Sequence, residues 1–224
     1  MKPQFYIIAG PNGAGKSTYV HDYVPEGTFI FNGDQVYADL LKRYPGYDPI
    51  ILGGGVAQQL EKDRDTSIAA KKNFCFESNY SNDMATAMVK FFKAAGYEVN
   101  LIYFGLNDLE TATSRVQTRV ALGGHNIKDL DIRHNFEDGI NRLKGDFALF
   151  DRMQFIDTAI KQSATVIAHC TKHSKSVHVL TEDAPWFKKN FQLGLSVLYI
   201  DKSKKIAAKR LTEVPKQQKR RPRL

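Results

Sequence analysis

Gly10-Pro11-Asn12-Gly13-Ala14-Gly15-Lys16-Ser17 follows directly on the apolar run Phe5-Tyr6-Ile7-Ile8-Ala9. The stretch is a G-x-x-x-x-G-K-[ST] phosphate loop, standing between a first strand and a first helix. Its glycines let successive backbone N–H groups turn inward and form a nest for the phosphates of a nucleotide. Lys16 adds a cation for the β- and γ-phosphates, and Ser17 a hydroxyl for Mg²⁺. The helix that begins near Lys16 directs its positive dipole end at the same anion. Gly10 through Ser17, with Thr18, are therefore the expected ATP-binding residues.

Outward from the loop, short apolar strands alternate with amphipathic helical segments, the pattern of an α/β protein with a mainly parallel sheet. Thr28-Phe29-Ile30-Phe31-Asn32, Phe74-Cys75-Phe76 and Val99-Asn100-Leu101-Ile102-Tyr103-Phe104 read as strands. Gly53-Gly54-Gly55 is expected to interrupt or open the helical stretch that runs toward Lys72. Further on, Phe155-Ile156, Thr165–Ala168 and Val177–Leu180 read as strands, and so does Leu195–Ile200 after a short helix at Pro185–Asn190. The expected fold is a P-loop NTPase-type three-layer core with a mainly parallel sheet, a β-rich C-terminal extension and a basic tail. The core spans residues 1–159 with a lid near 115–133, the extension 160–200 belongs to the same domain, and 201–224 is a flexible tail.

The composition, 224 residues with 42% hydrophobic and 25% charged, suits one domain with a real core. The net charge of +8 belongs to the tail, where ten Lys or Arg meet two Asp or Glu; residues 1–200 are formally neutral. Such a polar basic run reads as solvated. Nucleic-acid contact through it is the lesser reading, because no aromatic side chain beyond Tyr199 is interleaved with its charges. Two cysteines, Cys75 and Cys170, each inside an apolar run, exclude a disulfide scaffold. No apolar run reaches transmembrane length, so no membrane contact and a cytoplasmic location are expected. His169, His173 and His178 with Cys170 lie on an apparent strand pair without zinc spacing and read as structural.

The loop's spelling also occurs in transporter-type ATPases, but no apolar strand here ends in Asp-Glu, which removes that class. Small-molecule kinases set carboxylates at the ends of the next strands and bring arginines from a lid. Asp34 follows the second strand and Glu77 closes the third, so both should face the cleft at the carboxyl edge of the sheet. Arg115, Arg119 and Arg133 flank Gly123-Gly124-His125, with Arg115 and Arg119 on one helical face.

Together with the phosphate loop, the segments Asn32-Gly33-Asp34, Phe76-Glu77-Ser78-Asn79-Tyr80-Ser81, Ala95-Gly96-Tyr97, Arg115 through Ile127, Asp131-Ile132-Arg133 and Phe155-Ile156-Asp157 occur in order over residues 4–159. In this the chain resembles the zeta-toxin family of kinases, in its chromosomal Gly-Gly-His branch. The resemblance implies ATP- and Mg²⁺-dependent phosphorylation of a hydroxyl of UDP-N-acetylglucosamine, and an antitoxin protein as partner. It makes Asp34 the general base, against the simpler role of a helix cap. Asn32, Glu77 and Asn79 would hold the acceptor, with Glu77 alternatively orienting Mg²⁺ through water. Arg119 and Arg133 would stabilise the γ-phosphate, Arg115 competes for that role, and His125 would fix the lid turn.

Three segments depart from the family pattern. Glu77-Ser78-Asn79-Tyr80-Ser81 stands for the usual Glu-Thr-Thr-Leu-Ser, so an amide replaces a substrate-facing threonine. The usual run of arginines is reduced to Arg133-His134-Asn135, and the usual Asp-Asn-Ser reads Asp157-Thr158-Ala159. A kinase of a nucleoside, a polynucleotide end or an antibiotic hydroxyl uses the same parts. So does a nucleotide-dependent switch protein, although the intact Lys16, Ser17, Asp34 and Glu77 favour an enzyme.

Overall fold

The structure, a computed structural model, describes residues 2–123, 127–160, 162–181 and 183–201. Eight strands form one sheet: β1 (Gln4–Ala9), β2 (Phe29–Asn32), β3 (Phe74–Glu77), β4 (Glu98–Gly105), β5 (Arg152–Asp157), β6 (Thr165–Thr171), β7 (Ser176–Val179) and β8 (Ile200–Asp201). Their order is β2-β3-β1-β4-β5-β6-β7-β8. β2 to β5 are parallel, β5-β6-β7 are antiparallel, and β7-β8 are parallel. The strand following β1 in sequence lies two places away, so the crevice beside the phosphate loop is a topological switch point, where such sheets bind ligands.

Alternation along the strands builds two cores, one on each face. Ile7, Leu101 and Phe155 point to one face; their neighbours Ile8, Ile102 and Ile156 point to the other. Three helices line the first face: α3 (Pro49–Ala69) through Leu60, α4 (Asp83–Ala94) through Val89 and Phe92, and α6 (Asp129–Asp146) through Leu143. α1 (Lys16–Tyr23) and α5 (Leu109–Ala121) cover the second through Val20 and Val116. Phe5 stacks on Phe92 with ring centroids 4.2 Å apart, and each such ring contributes about 2–3 kcal/mol by leaving water. Among the described residues no helix is long and apolar enough to cross a membrane.

Two local expectations are corrected. Gly53–Gly55 neither opens nor interrupts a helix; α3 runs straight through them. Asp48 caps that helix by accepting from the Ile50 N–H at 2.7 Å, and Pro49 starts it, so the start signal lies upstream of the glycines. Gly55 has a use in this position: a Cβ there would lie 3.0 Å from Leu40 on α2 (Gly33–Arg43). Leu195–Ile200 is not a strand. The chain is helical from Pro185, as α7 (Pro185–Phe187), a π-helical turn (Lys188–Gln192) and α8 (Leu193–Leu198), and extends only at β8. Phe187, Phe191 and Leu195, four apart, form its buried stripe, while Leu193 and Val197 face outward. The C-terminal extension therefore mixes β6–β8 with helix. Asp201, the first residue of the expected tail, belongs to β8, and the rest of the basic tail lies outside the described residues.

Candidate active site

The phosphate loop leaves β1 with Gly10 at φ 140° and Gly13 at φ 78°, angles that glycine alone adopts without strain. It also runs tight against its supports: a Cβ on Gly10 would sit 2.2 Å from the Phe104 carbonyl oxygen. Gly15 caps α1 in the left-handed region and offers no side-chain acceptor, so the first N–H groups of α1 remain for an anion.

Lys16 is buried beneath this loop. Its Nζ donates to the carbonyl oxygens of Gly10 and Pro11 at 2.8 and 3.1 Å, and to Asn79 Oδ1 at 2.8 Å. All the hydrogens of the ammonium group are thereby engaged. Burial lowers its pKa below the ordinary lysine value, opposed by the charges of Glu77 and Asp34 and assisted by Arg119. Glu77, Asp34 and Arg119 line the same cleft as Lys16.

Strand register assembles the next group. Asn32 and Glu77 are paired in the β2–β3 ladder, and Glu77 is paired with Ile8 in the β1–β3 ladder, so their side chains emerge together at the carboxyl edge. Ser17 Oγ donates to Glu77 Oε1 at 2.7 Å, and Asn32 Nδ2 donates to Glu77 Oε2 at 2.8 Å. Asn32 Oδ1 accepts from the Gln35 N–H at 3.1 Å, so Asn32, not Asp34, caps α2. Asp34 stands in the first turn of α2, exposed, and lines the same cleft. Ser17 and Glu77 together are a hard-oxygen donor set of the kind Mg²⁺ takes.

The arginines divide. Arg115 Nη2 donates to the Ala159 carbonyl at 2.9 Å and Nη1 approaches the Gly13 carbonyl at 3.5 Å, so this guanidinium braces the loop. Arg119, one turn on, lines both the cleft and a cavity of about 880 Å³ on the other flank of the loop. Arg133 lies in a separate groove with Glu110 and Ser114, exposed and 3.9 Å from Glu137. Gly124 and His125 lie outside the described residues.

The cleft itself holds about 530 Å³. Phe31, Val56, Leu60, Phe76 and Met84 form an apolar wall opposite the phosphate loop. The motif reading omitted this wall, which comes from α3, from Met84 on α4 and from strand residues that resemble ordinary core. It also omitted Asn135 on α6, which accepts from Ser81 Oγ at 2.6 Å and donates Nδ2 to Asn12 Oδ1 at 2.9 Å. Thr158 was likewise passed over. Its buried hydroxyl lies 3.1 Å from the Ala14 carbonyl oxygen and 3.0 Å from that of Gly105, tying the loop to the end of β5. The signal available was its place in Asp157-Thr158-Ala159. Next to it, Asp157 Oδ1 accepts from Trp186 Nε1 at 2.7 Å, so the C-terminal helix buttresses the same strand end. No group of three or more His, Cys, Asp or Glu stands ready for a metal among the described residues. His169 and His178 simply stack across β6 and β7 at 4.9 Å.

Residues 1–169 match the family model described as Zeta toxin. An uncharacterized protein of Haemophilus influenzae is 26% identical over 136 residues, which are 61% of this chain and 94% of that protein. Two solved structures share the fold. The PezAT chromosomal toxin–antitoxin system of Streptococcus pneumoniae aligns at TM-score 0.59 and 18% identity, over 95% of this chain and 87% of the other. AvrRxo1-ORF1:AvrRxo1-ORF2 with sulphate ions aligns at TM-score 0.59 and 15% identity over 84% of this chain; the alignment spans 63% of that longer chain.

Proposed function

This chain belongs to the zeta toxin family, is an ATP-dependent P-loop kinase, and we propose that it phosphorylates a hydroxyl of UDP-N-acetylglucosamine. The observation that carries the kinase chemistry is the meeting of Lys16, Ser17, Glu77, Asn32 and Asp34 at one carboxyl edge of the sheet. In this reading the triphosphate lies in the loop, with Lys16 releasing the Gly10 and Pro11 carbonyls for phosphate oxygens and keeping Asn79. The nucleoside extends into the cavity beside Thr18, Tyr19 and Gln162. Ser17 and Glu77 would hold Mg²⁺, which when bound neutralises phosphate charge. Asp34 accepts the proton of the attacking hydroxyl, and Asn79 and Asn32 orient the acceptor. Arg119 faces the developing charge on the γ-phosphoryl oxygens, while Arg115 keeps the loop in shape. An antitoxin protein, as in the toxin–antitoxin relative, is the proposed partner.

One observation favours a second acceptor class, a nucleoside or antibiotic hydroxyl without phosphates. Among the described lining residues, the only cations are Lys16, Arg115 and Arg119, all at the phosphate loop. The acceptor half offers Asp34, Glu77, amides and the apolar wall, and nothing to neutralise a diphosphate. The two acceptors separate in one experiment: incubate the chain with ATP, Mg²⁺ and a panel of UDP-sugars, nucleosides and aminoglycosides, and read product masses. Phosphorylated UDP-N-acetylglucosamine supports the first acceptor, transfer only to phosphate-free alcohols the second. ATP binding without any transfer would return the chain to the switch class.

A further inference from the structure

Ser78–Asp83, the segment carrying Asn79, is gripped from behind by a single stripe of α6. Asn135, Gly139, Arg142 and Asp146 follow one another at four, three and four residues, which places them on one helical face. Each meets a different part of the segment. Asn135 accepts from Ser81 Oγ at 2.6 Å, and Arg142 pairs with Asp83 at 2.5 Å. Asp146 Oδ2 accepts from the hydroxyl of the buried Tyr80 at 2.8 Å. Gly139 is buried and lies against the Asn79 main chain so closely that a Cβ would stand 2.5 Å from the Asn79 carbonyl oxygen.

The segment does not take this shape unaided. Tyr80 sits at φ 62°, in the left-handed region that a bulky side chain occupies only under constraint. A strained residue held by a distant helix, beside a glycine that admits no methyl group, marks a backbone set to a required position. What that position achieves is visible on the other side of the segment, where Asn79 Oδ1 reaches Lys16 Nζ at 2.8 Å.

We propose that Gly139 and Tyr80 are positioning residues for phosphoryl transfer: α6 sets the segment so that the Asn79 carboxamide reaches Lys16 without entering the space of the phosphates. This rests on the phosphotransferase reading and adds to it the residues that fix Asn79. A methyl at residue 139 must drive the Asn79 main chain away from α6, toward the cleft, and its carboxamide onto the place of the β- and γ-phosphates.

The test is a double-mutant cycle read by ATP–Mg²⁺ affinity on the full chain. Gly139→Ala is expected to weaken ATP binding about tenfold when residue 79 is Asn, and less than about twofold in an Asn79→Ala background. A purely structural role for Gly139 predicts the same loss in both backgrounds, and that result overturns the proposal. So does unchanged affinity in a folded Gly139→Ala protein. If Gly139→Ala does not fold, Tyr80→Phe, which keeps the ring and removes the hydroxyl that meets Asp146 and Thr86, takes its place in the cycle. Its expected loss is about threefold with Asn79 present, and again absent without it. Wild-type protein that fails to bind ATP at all would instead remove the phosphotransferase reading beneath.

Discussion

Ser17 Oγ and Glu77 Oε1 lie 2.7 Å apart, although 60 residues separate them in the chain. The parallel pairing of β1 with β3 brings them together, and Asn32 holds the second carboxylate oxygen from the next strand. A carboxylate fixed on both sides cannot swing to find its ligand; it is pre-positioned. Glu77→Gln should therefore cut ATP–Mg²⁺-dependent transfer by about 100-fold, with Mg²⁺-free nucleotide affinity within about twofold of wild type. Steady-state kinetics beside calorimetric titration with ATP in EDTA checks this. Equal loss of both would make the glutamate part of the nucleotide seat.

Asp34 is exposed and has no capping duty, since Asn32 performs it. Asp34→Asn should lower kcat by at least about 100-fold while ATP affinity changes less than about twofold. The same variant should melt within about 1 °C of the wild type, because no hydrogen bond of the fold is lost. A drop in melting temperature together with affinity would speak for a structural role.

Thr158 ties the phosphate loop to the end of β5, and Gly105 packs against Trp186 beside it. Thr158→Val removes the hydroxyl shared between the Ala14 and Gly105 carbonyls, of which Gly105 keeps the Thr158 N–H at 3.2 Å, and should cost about 1–3 kcal/mol in chemical denaturation. Gly105→Ala meets Trp186, whose ring would be 2.2 Å from the new Cβ, and should cost at least as much. If Thr158→Val is neutral in stability, the tie to the loop carries no energy.

His169 predicts a pH dependence. Burial and the facing His178 hold its pKa below the ordinary 6.5, so the unfolded chain takes up a proton that the folded chain resists. Stability from this source is present above about 6.5 and is lost as pH falls below it. Melting temperatures between pH 7.5 and 5.5 should decline, and His169→Gln should flatten that decline.

The phosphate loop, Asn32, Asp34 and Glu77 were legible in the sequence because each sits at the end of a short apolar strand. A parallel sheet brings such ends to one edge whatever the rest of the chain does. The helix at Leu193–Leu198 was not legible, since Leu195-Ser196-Val197-Leu198 is apolar enough for a strand and too short to show a helical period by itself. Its period emerges only when Phe187 and Phe191 are counted with Leu195. Gly53–Gly55 misled for the opposite reason: low helix propensity was outweighed by the Asp48 cap and by packing against Leu40. Arg133 falls beyond what spacing can reveal. Helix residues near a lid face either the phosphates or a neighbouring groove, depending on the rotation of α6, and here Arg133 faces the groove.

Trp186 is the sole tryptophan of the chain, and its indole N–H ends on Asp157, two residues before the carbonyl that receives Arg115. The molecule thus carries an intrinsic fluorophore wired to its nucleotide seat. A shift of the Arg115–Ala159 strut on loading is therefore expected to change this single indole's emission, and a fluorescence titration with ATP checks it.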